Sequence, residues 1–155
     1  MRIYQTFILI LAMALPAVIF AGSHPLHISQ GMVQAGPPNA QVLAGYMTLE
    51  NTSDKTIVIT GATSPLFKQV EFHQTFTEGG MMRMRKQEQL SIPAHKKLML
   101  KPGSYHMMLI NPARALRPGD RVPVTIKISS EKNLTITLTV KLPDSGMQEH
   151  NHHHH

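Results

Sequence analysis

From Leu26 onward the chain runs in short stretches where apolar and polar side chains alternate, bounded by Gly, Pro, Asn and Asp. Thr135-Ile136-Thr137-Leu138-Thr139-Val140 is the clearest case: period two with β-branched residues is the pattern of a strand with one face buried and one in water. Runs of this kind predict strands over residues 41–50, 56–60, 68–75, 81–86, 97–99, 104–111, 121–129 and 133–141. Turn-forming groups separate them, among them Gly36-Pro37-Pro38-Asn39, Gly79-Gly80, Pro102-Gly103 and Pro118-Gly119-Asp120. No stretch sustains a helical period of 3.6. Roughly seven to nine short strands at this spacing imply a single all-β domain, an antiparallel β-sandwich or Greek-key barrel.

The ends of the chain read differently. Residues 1–6 carry Arg2 and no acid, residues 7–20 are apolar apart from Pro16, and Ala21, Gly22 and Ser23 are small. An apolar run of that length is short for a membrane span, which takes about twenty residues, so residues 1–21 read as a secretory signal peptide cleaved after residue 21 or 23. The β-sandwich domain is then expected over residues 22–142, with residues 143–155 a flexible tail rich in Met and His. After signal cleavage the protein is expected to be exported, and not an integral membrane protein.

Composition narrows the chemistry. The 155 residues include no Cys and no Trp, but eleven Met and ten His. Without Cys there is no disulfide, iron–sulfur cluster, thiolate zinc site or blue-copper centre, and no cysteine to acylate as in a lipoprotein. The formal charge of +6 comes from scattered basic residues, densest at Arg83, Arg85 and Lys86, and only 5% of residues are aromatic. Nucleic acid is therefore not an expected partner, since few side chains could stack on bases. No Ser-His-Asp spacing, phosphate loop or convincing carboxylate pair points to an enzyme.

His106 and Met108 stand two apart in one predicted strand, so they share a face, while Tyr105 and Met107 take the other. Residues 71–86 read as a hairpin about Gly79-Gly80, which puts His73 and Met84 on adjacent strands. The four can converge near the rim of the domain. Two imidazoles and two neutral, soft thioethers favour Cu(I) over zinc, magnesium or calcium, and the absence of a carboxylate or open position suits holding a metal rather than catalysis on it. The imidazoles must be neutral to bind, so retention is expected to weaken in acid through His73 and His106. Met47, Met82, Met99 and Met107 are expected to be core, and His27 and His95 surface residues.

The segments Val70-Glu71-Phe72-His73, Gly79-Gly80-Met81-Met82-Arg83-Met84, Lys101-Pro102-Gly103-Ser104-Tyr105-His106-Met107-Met108-Leu109 and Leu116-Arg117-Pro118-Gly119-Asp120 resemble the periplasmic copper chaperones of the PCu(A)C family. The likeness runs from about Ala44 to Lys141, and His73, Met84, His106 and Met108 match all four positions of that family's metal motif. It implies a cupredoxin-like β-sandwich that holds one Cu(I) and passes it on. The implied acceptors are cytochrome c oxidase subunit II, during assembly of its copper centre, and Sco-like thiol proteins. Departures are Gly31-Met32-Val33-Gln34-Ala35 where relatives often have a Trp, Gly103-Ser104 in place of a double glycine, and Gln74 where an acid is frequent.

Further donors lie at the ends. Met147, His150, His152, His153, His154 and His155 form a second candidate site, suited by its imidazoles to Cu(II). Cleavage after Ala21 would expose Gly22-Ser23-His24, where a free amine with His24 in third place can wrap Cu(II) in a square-planar nitrogen set. A copper storage or tolerance protein, using the core site and the tail together, is the alternative to a delivery protein. A scaffold with incidental Met and His is a third class.

Overall fold

The computed structural model describes residues 24–143. The signal peptide expected at 1–21 and the tail donors from Met147 onward lie outside the described residues. Ten strands follow one another: β1 (Leu26–Gln34), β2 (Val42–Asn51), β3 (Ile57–Thr63), β4 (Phe67–Glu78), β5 (Met81–Gln87), β6 (Leu90–Ile92), β7 (Lys97–Leu100), β8 (Tyr105–Pro112), β9 (Arg121–Ile128) and β10 (Leu134–Lys141). The described residues contain no helix, so the all-β expectation holds.

Eight strands fall where the alternation put them; β1 and β6 do not. β6 has only three residues. In β1 a bulge between Ser29 and Met32 breaks the phase, with Gln30 in the left-handed region at φ 55°. Leu26 and Val33 both face the interior although they stand seven positions apart, an odd offset. Period two is therefore invisible in the sequence there. At Gly31 a Cβ would stand 2.6 Å from Leu138 Cδ2, so a larger residue in the bulge would have to displace that buried side chain.

Of the two forms expected, sandwich or barrel, the chain takes the closed one, and its sheet is not wholly antiparallel. The strands form one sheet that closes on itself through the ring β4–β8–β2–β1–β10–β9–β3, shut by the bridge between Ala62 and Val70. Closure also brings β1 beside β10 in parallel, Val33 opposite Val140. The physical gain is that a closed sheet leaves fewer unpaired edges than two open ones. Inward residues fill the barrel: Leu43, Met47 and Leu49 from β2, Val70 and Phe72 from β4, Met107 and Leu109 from β8, Val122, Val124 and Ile126 from β9, Leu138 and Val140 from β10. Asn51 is the buried polar tie, donating through Nδ2 to the carbonyls of Lys55 and Ile92 at 2.7 and 2.8 Å and accepting from Ser53 N at 2.9 Å.

One element leaves the barrel. β4 pairs with β8 as far as Gln74 opposite Tyr105, and beyond that point it pairs only with β5. The β4–β5 hairpin turns through Gly79 and Gly80, both at positive φ (60° and 76°), the conformation that a two-residue hairpin loop requires. It projects past the wall, and β5 has no buried residue. That geometry corrects the reading of Met82 as core: it is 74% exposed. Met99 is corrected too, lying on the outward face of β7, whereas Met47 and Met107 are buried as expected.

Candidate metal centre

Register decides which side chains meet. His73 on β4 stands directly opposite His106 on β8, Glu71 opposite Met108, and Thr75 opposite Met84 on β5. Residues directly opposite share a face, and so do residues two apart on a strand. His73, Met84, His106 and Met108 thus lie on one outward face spanning three adjacent strands, with the hydrophobic interior behind it. Phe72, Met107 and Leu109 supply the inward side at the same level.

A cleft of about 310 Å³ opens on this face, with Met84, His106, Met108, Thr75, Tyr46 and Pro102 among its walls. His73 is not a wall of the cleft. It stacks beside His106, the ring centroids 6.0 Å apart and the planes 30° from parallel. His106 is the deepest of the four, 8% exposed, and Met84 on the projecting hairpin is the most open, at 56%.

The hydrogen bonds assign the ring protons. His106 Nδ1 lies 3.0 Å from the Ser104 carbonyl, which can only accept, so Nδ1 carries the proton and Nε2 keeps its lone pair in the neutral ring. His73 Nε2 lies 2.8 Å from Glu71 Oε2, so by the same logic its Nδ1 is the free nitrogen. A carboxylate or carbonyl holding the second ring nitrogen is the usual support for a metal-binding imidazole. Lys86 donates to the other oxygen of Glu71 at 3.1 Å. The hydrogen bond from His73, then that from Lys86, hold the Glu71 carboxyl below its ordinary range, so it is an anion at neutral pH.

Glu71 is the positioning residue that reading for metal donors passed over. Its signal was present in the sequence: an acid two residues before a strand histidine shares that histidine's face. Tyr46 was also unforeseen. It lines the cleft, and burial raises its hydroxyl above the ordinary pKa. The densest basic group, Arg83, Arg85 and Lys86, is partly matched within the chain. Lys86 pairs with Glu71, Arg83 Nε lies 3.1 Å from Glu78, and Arg85 sits 4.8 Å over the Phe76 ring.

The remaining histidines fall elsewhere. His24 accepts from Leu26 N at 3.1 Å through Nδ1 and donates through Nε2 to the Lys132 carbonyl at 2.8 Å, so both ring nitrogens are engaged. His27 is exposed, and His95 pairs on the surface with Asp54 at 2.7 Å. Among the described residues no three His, Asp or Glu side chains cluster closely enough to hold a metal. The thioether face is therefore the place where donors converge.

Sequence and fold comparisons place the chain among known proteins. The LpqE-like family, described as "Putative lipoprotein LpqE-like", matches residues 26–140. The chain belongs to the LpqE-like family. Its resemblance to the PCu(A)C family stands with that membership. DR1885 of Deinococcus radiodurans is 34% identical, covering 92% of this chain and 97% of its own in the copper-free solution structure, with a TM-score of 0.60. The Cu(I) form of DR1885 is also 34% identical, covering 87% and 85%, with a TM-score of 0.62. The copper-bound PCuAC domain from PmoF2 shares the fold, with a TM-score of 0.66 at 19% identity over 79% of this chain and 97% of that one. A putative lipoprotein of Leifsonia xyli subsp. xyli is 28% identical over 117 residues, 75% of this chain and 69% of that protein. An uncharacterized protein of Rickettsia prowazekii is 34% identical over 83 residues, 53% of this chain and 46% of its own, so the match spans about half of it. The 155 residues of this LpqE-like chain include no Cys, and no helix among its described residues is long and apolar enough to cross a membrane.

Proposed function

We propose that this protein is an exported, periplasmic copper carrier rather than an enzyme, holding Cu(I) with His73, Met84, His106 and Met108 and passing it to acceptor proteins. The observation that carries the reading is the convergence of two thioethers and two imidazoles, each imidazole with one nitrogen free, on one outward face of the barrel. That donor set is neutral and soft, which suits a monovalent soft cation. Its place outside the core lets a partner exchange ligands one at a time without opening the barrel. Sco-like thiol proteins and cytochrome c oxidase subunit II, in copper-centre assembly, are the acceptors in this reading. Cupredoxin-like kinship, implied by the PCu(A)C resemblance, belongs to it as well. The lipoprotein descriptions of its relatives support export.

The test is a Cu(I) competition titration against a chromogenic chelator with Met84→Ala and His106→Ala. Both should lose affinity by at least about tenfold while unfolding as cooperatively as the parent. Unchanged affinity in both would refute the site. The tail donors Met147, His150 and His152 to His155 are proposed as a separate Cu(II) site, and His24 with a freed amino terminus as another that must first give up its two hydrogen bonds. Deleting residues 146–155 should lower the Cu(II) stoichiometry and leave Cu(I) binding intact.

A further inference from the structure

β5 is built unlike the other strands. Its side chains serve no core, because the hairpin projects past the barrel wall, yet three of its seven residues are methionines. Exposed apolar side chains on an edge strand bring no packing energy, so their chemistry is the more informative property. Met82 and Met84 share a face, opposite Thr77 and Thr75, and continue outward the face that carries His73, His106 and Met108. Phe76, Arg83, Arg85, Glu78 and Met81 occupy the other face, where Arg85 stacks on Phe76 and Arg83 pairs with Glu78. The hairpin thus has one thioether and threonine face and one aromatic and ion-paired face.

Two residues along a strand span about 6.6 Å. Methionine has three rotatable side-chain bonds and a polarizable sulfur, so the sulfurs of Met82 and Met84 can turn toward a metal between them. Exposure rises outward along the row: His106 8%, Met84 56%, Met82 74%. The donors therefore form a graded path from the wall to the hairpin tip.

We propose that Met82 is a transient Cu(I) ligand through which copper leaves the four-residue site for an acceptor's thiolates. The inference rests on the Cu(I) assignment of that site. In the transfer, copper stays Cu(I) and no electron moves. The bonds from copper to the two imidazoles and to Met108 break, while Met84, Met82 and one incoming sulfur hold the ion. The first acceptor thiol loses its proton to water as its sulfur binds. A second acceptor thiol, losing its proton to water in turn, then displaces both thioethers.

The full chain, loaded anaerobically with one equivalent of Cu(I), is mixed with a synthetic peptide carrying a Cys-x-x-Cys pair, and transfer is followed by stopped flow. Met82→Ala and Met82→Leu should both slow transfer by about tenfold, with Cu(I) affinity in chelator competition within about twofold of the parent. Met81→Ala, an equally apolar change on the opposite face, should transfer at the parental rate. A parental rate in Met82→Ala overturns the proposal. So does full rescue by Met82→Leu, which would make Met82 an apolar contact, and so does an affinity loss as large as that of Met84→Ala, which would make it a resident ligand. Failure of the four-residue site itself would appear separately, as unchanged affinity in Met84→Ala and His106→Ala.

Discussion

Met107 and Met108 are neighbours in the chain and chemically identical, yet the barrel wall divides them. Met107 is 0% exposed, pointing inward where β8 crosses β2. The backbone of Gly45 packs so closely there that a Cβ on it would stand 3.3 Å from Met107 Cβ and 3.4 Å from its sulfur. Met107→Ala therefore empties space that the surrounding strands cannot close, because the ladder fixes their separation. A buried Met→Ala change of this kind costs about 3 kcal/mol, roughly 10 °C in Tm for a domain of this size. Met108 faces the cleft and is only partly buried. Its truncation should cost about 1 kcal/mol or less in stability but remove one of the four proposed copper donors, weakening Cu(I) binding by about tenfold or more. Urea and thermal unfolding of the metal-free proteins, paired with Cu(I) chelator competition under conditions where each variant is folded, give both quantities. The expected result is a crossed pattern: Met107→Ala unstable with parental affinity, Met108→Ala stable with weakened affinity. Equal loss of affinity in the two, or equal loss of stability, would refute the division of faces on which the site depends.

Other consequences follow from polar groups outside the thioether face. Asn51→Ala should destabilise the domain by about 3 kcal/mol, because it strips a donor from the buried Ile92 carbonyl and breaks the tie to Lys55 and Ser53; urea unfolding measures it, and a change below about 1 kcal/mol would show that the loops close without it. The hydrogen bond from the Arg114 side chain, then that from Arg117 N, hold the Asp120 carboxyl below its ordinary range. A depressed carboxyl contributes stability that is complete above its unfolded pKa, near 4, and is lost as pH falls through the folded value. Asp120→Ala should therefore lower Tm at about pH 7, with the gap to the parent closing toward about pH 2; a gap of constant size across that range would count against the ion pair as its cause.

Much of the site could be read without coordinates, because strand alternation is a local property. His106 and Met108 share a face wherever their strand is placed, and Gly79-Gly80 sets the hairpin that returns Met84 toward His73. Glu71 was legible by the same rule, although nothing in the sequence said that Lys86 would hold its second oxygen.

What the chain could not announce were matters of long-range pairing. The bulge at Gln30 and Gly31 hides β1, since an extra residue cancels period two. Closure of the sheet by β1 beside β10 and by the single bridge from Ala62 to Val70 joins segments far apart in sequence, which no local pattern encodes. Burial of individual methionines is also a tertiary outcome. Met82 and Met107 each belong to a Met-Met pair in the sequence, but β8 runs through the barrel wall and the end of β5 runs beyond it. Composition and alternation fixed the donor types and the faces they take; only the register of β4 against β8 and β5 decided that His73, His106, Met84 and Met108 come together, because cross-strand hydrogen bonds, not sequence neighbours, set that alignment.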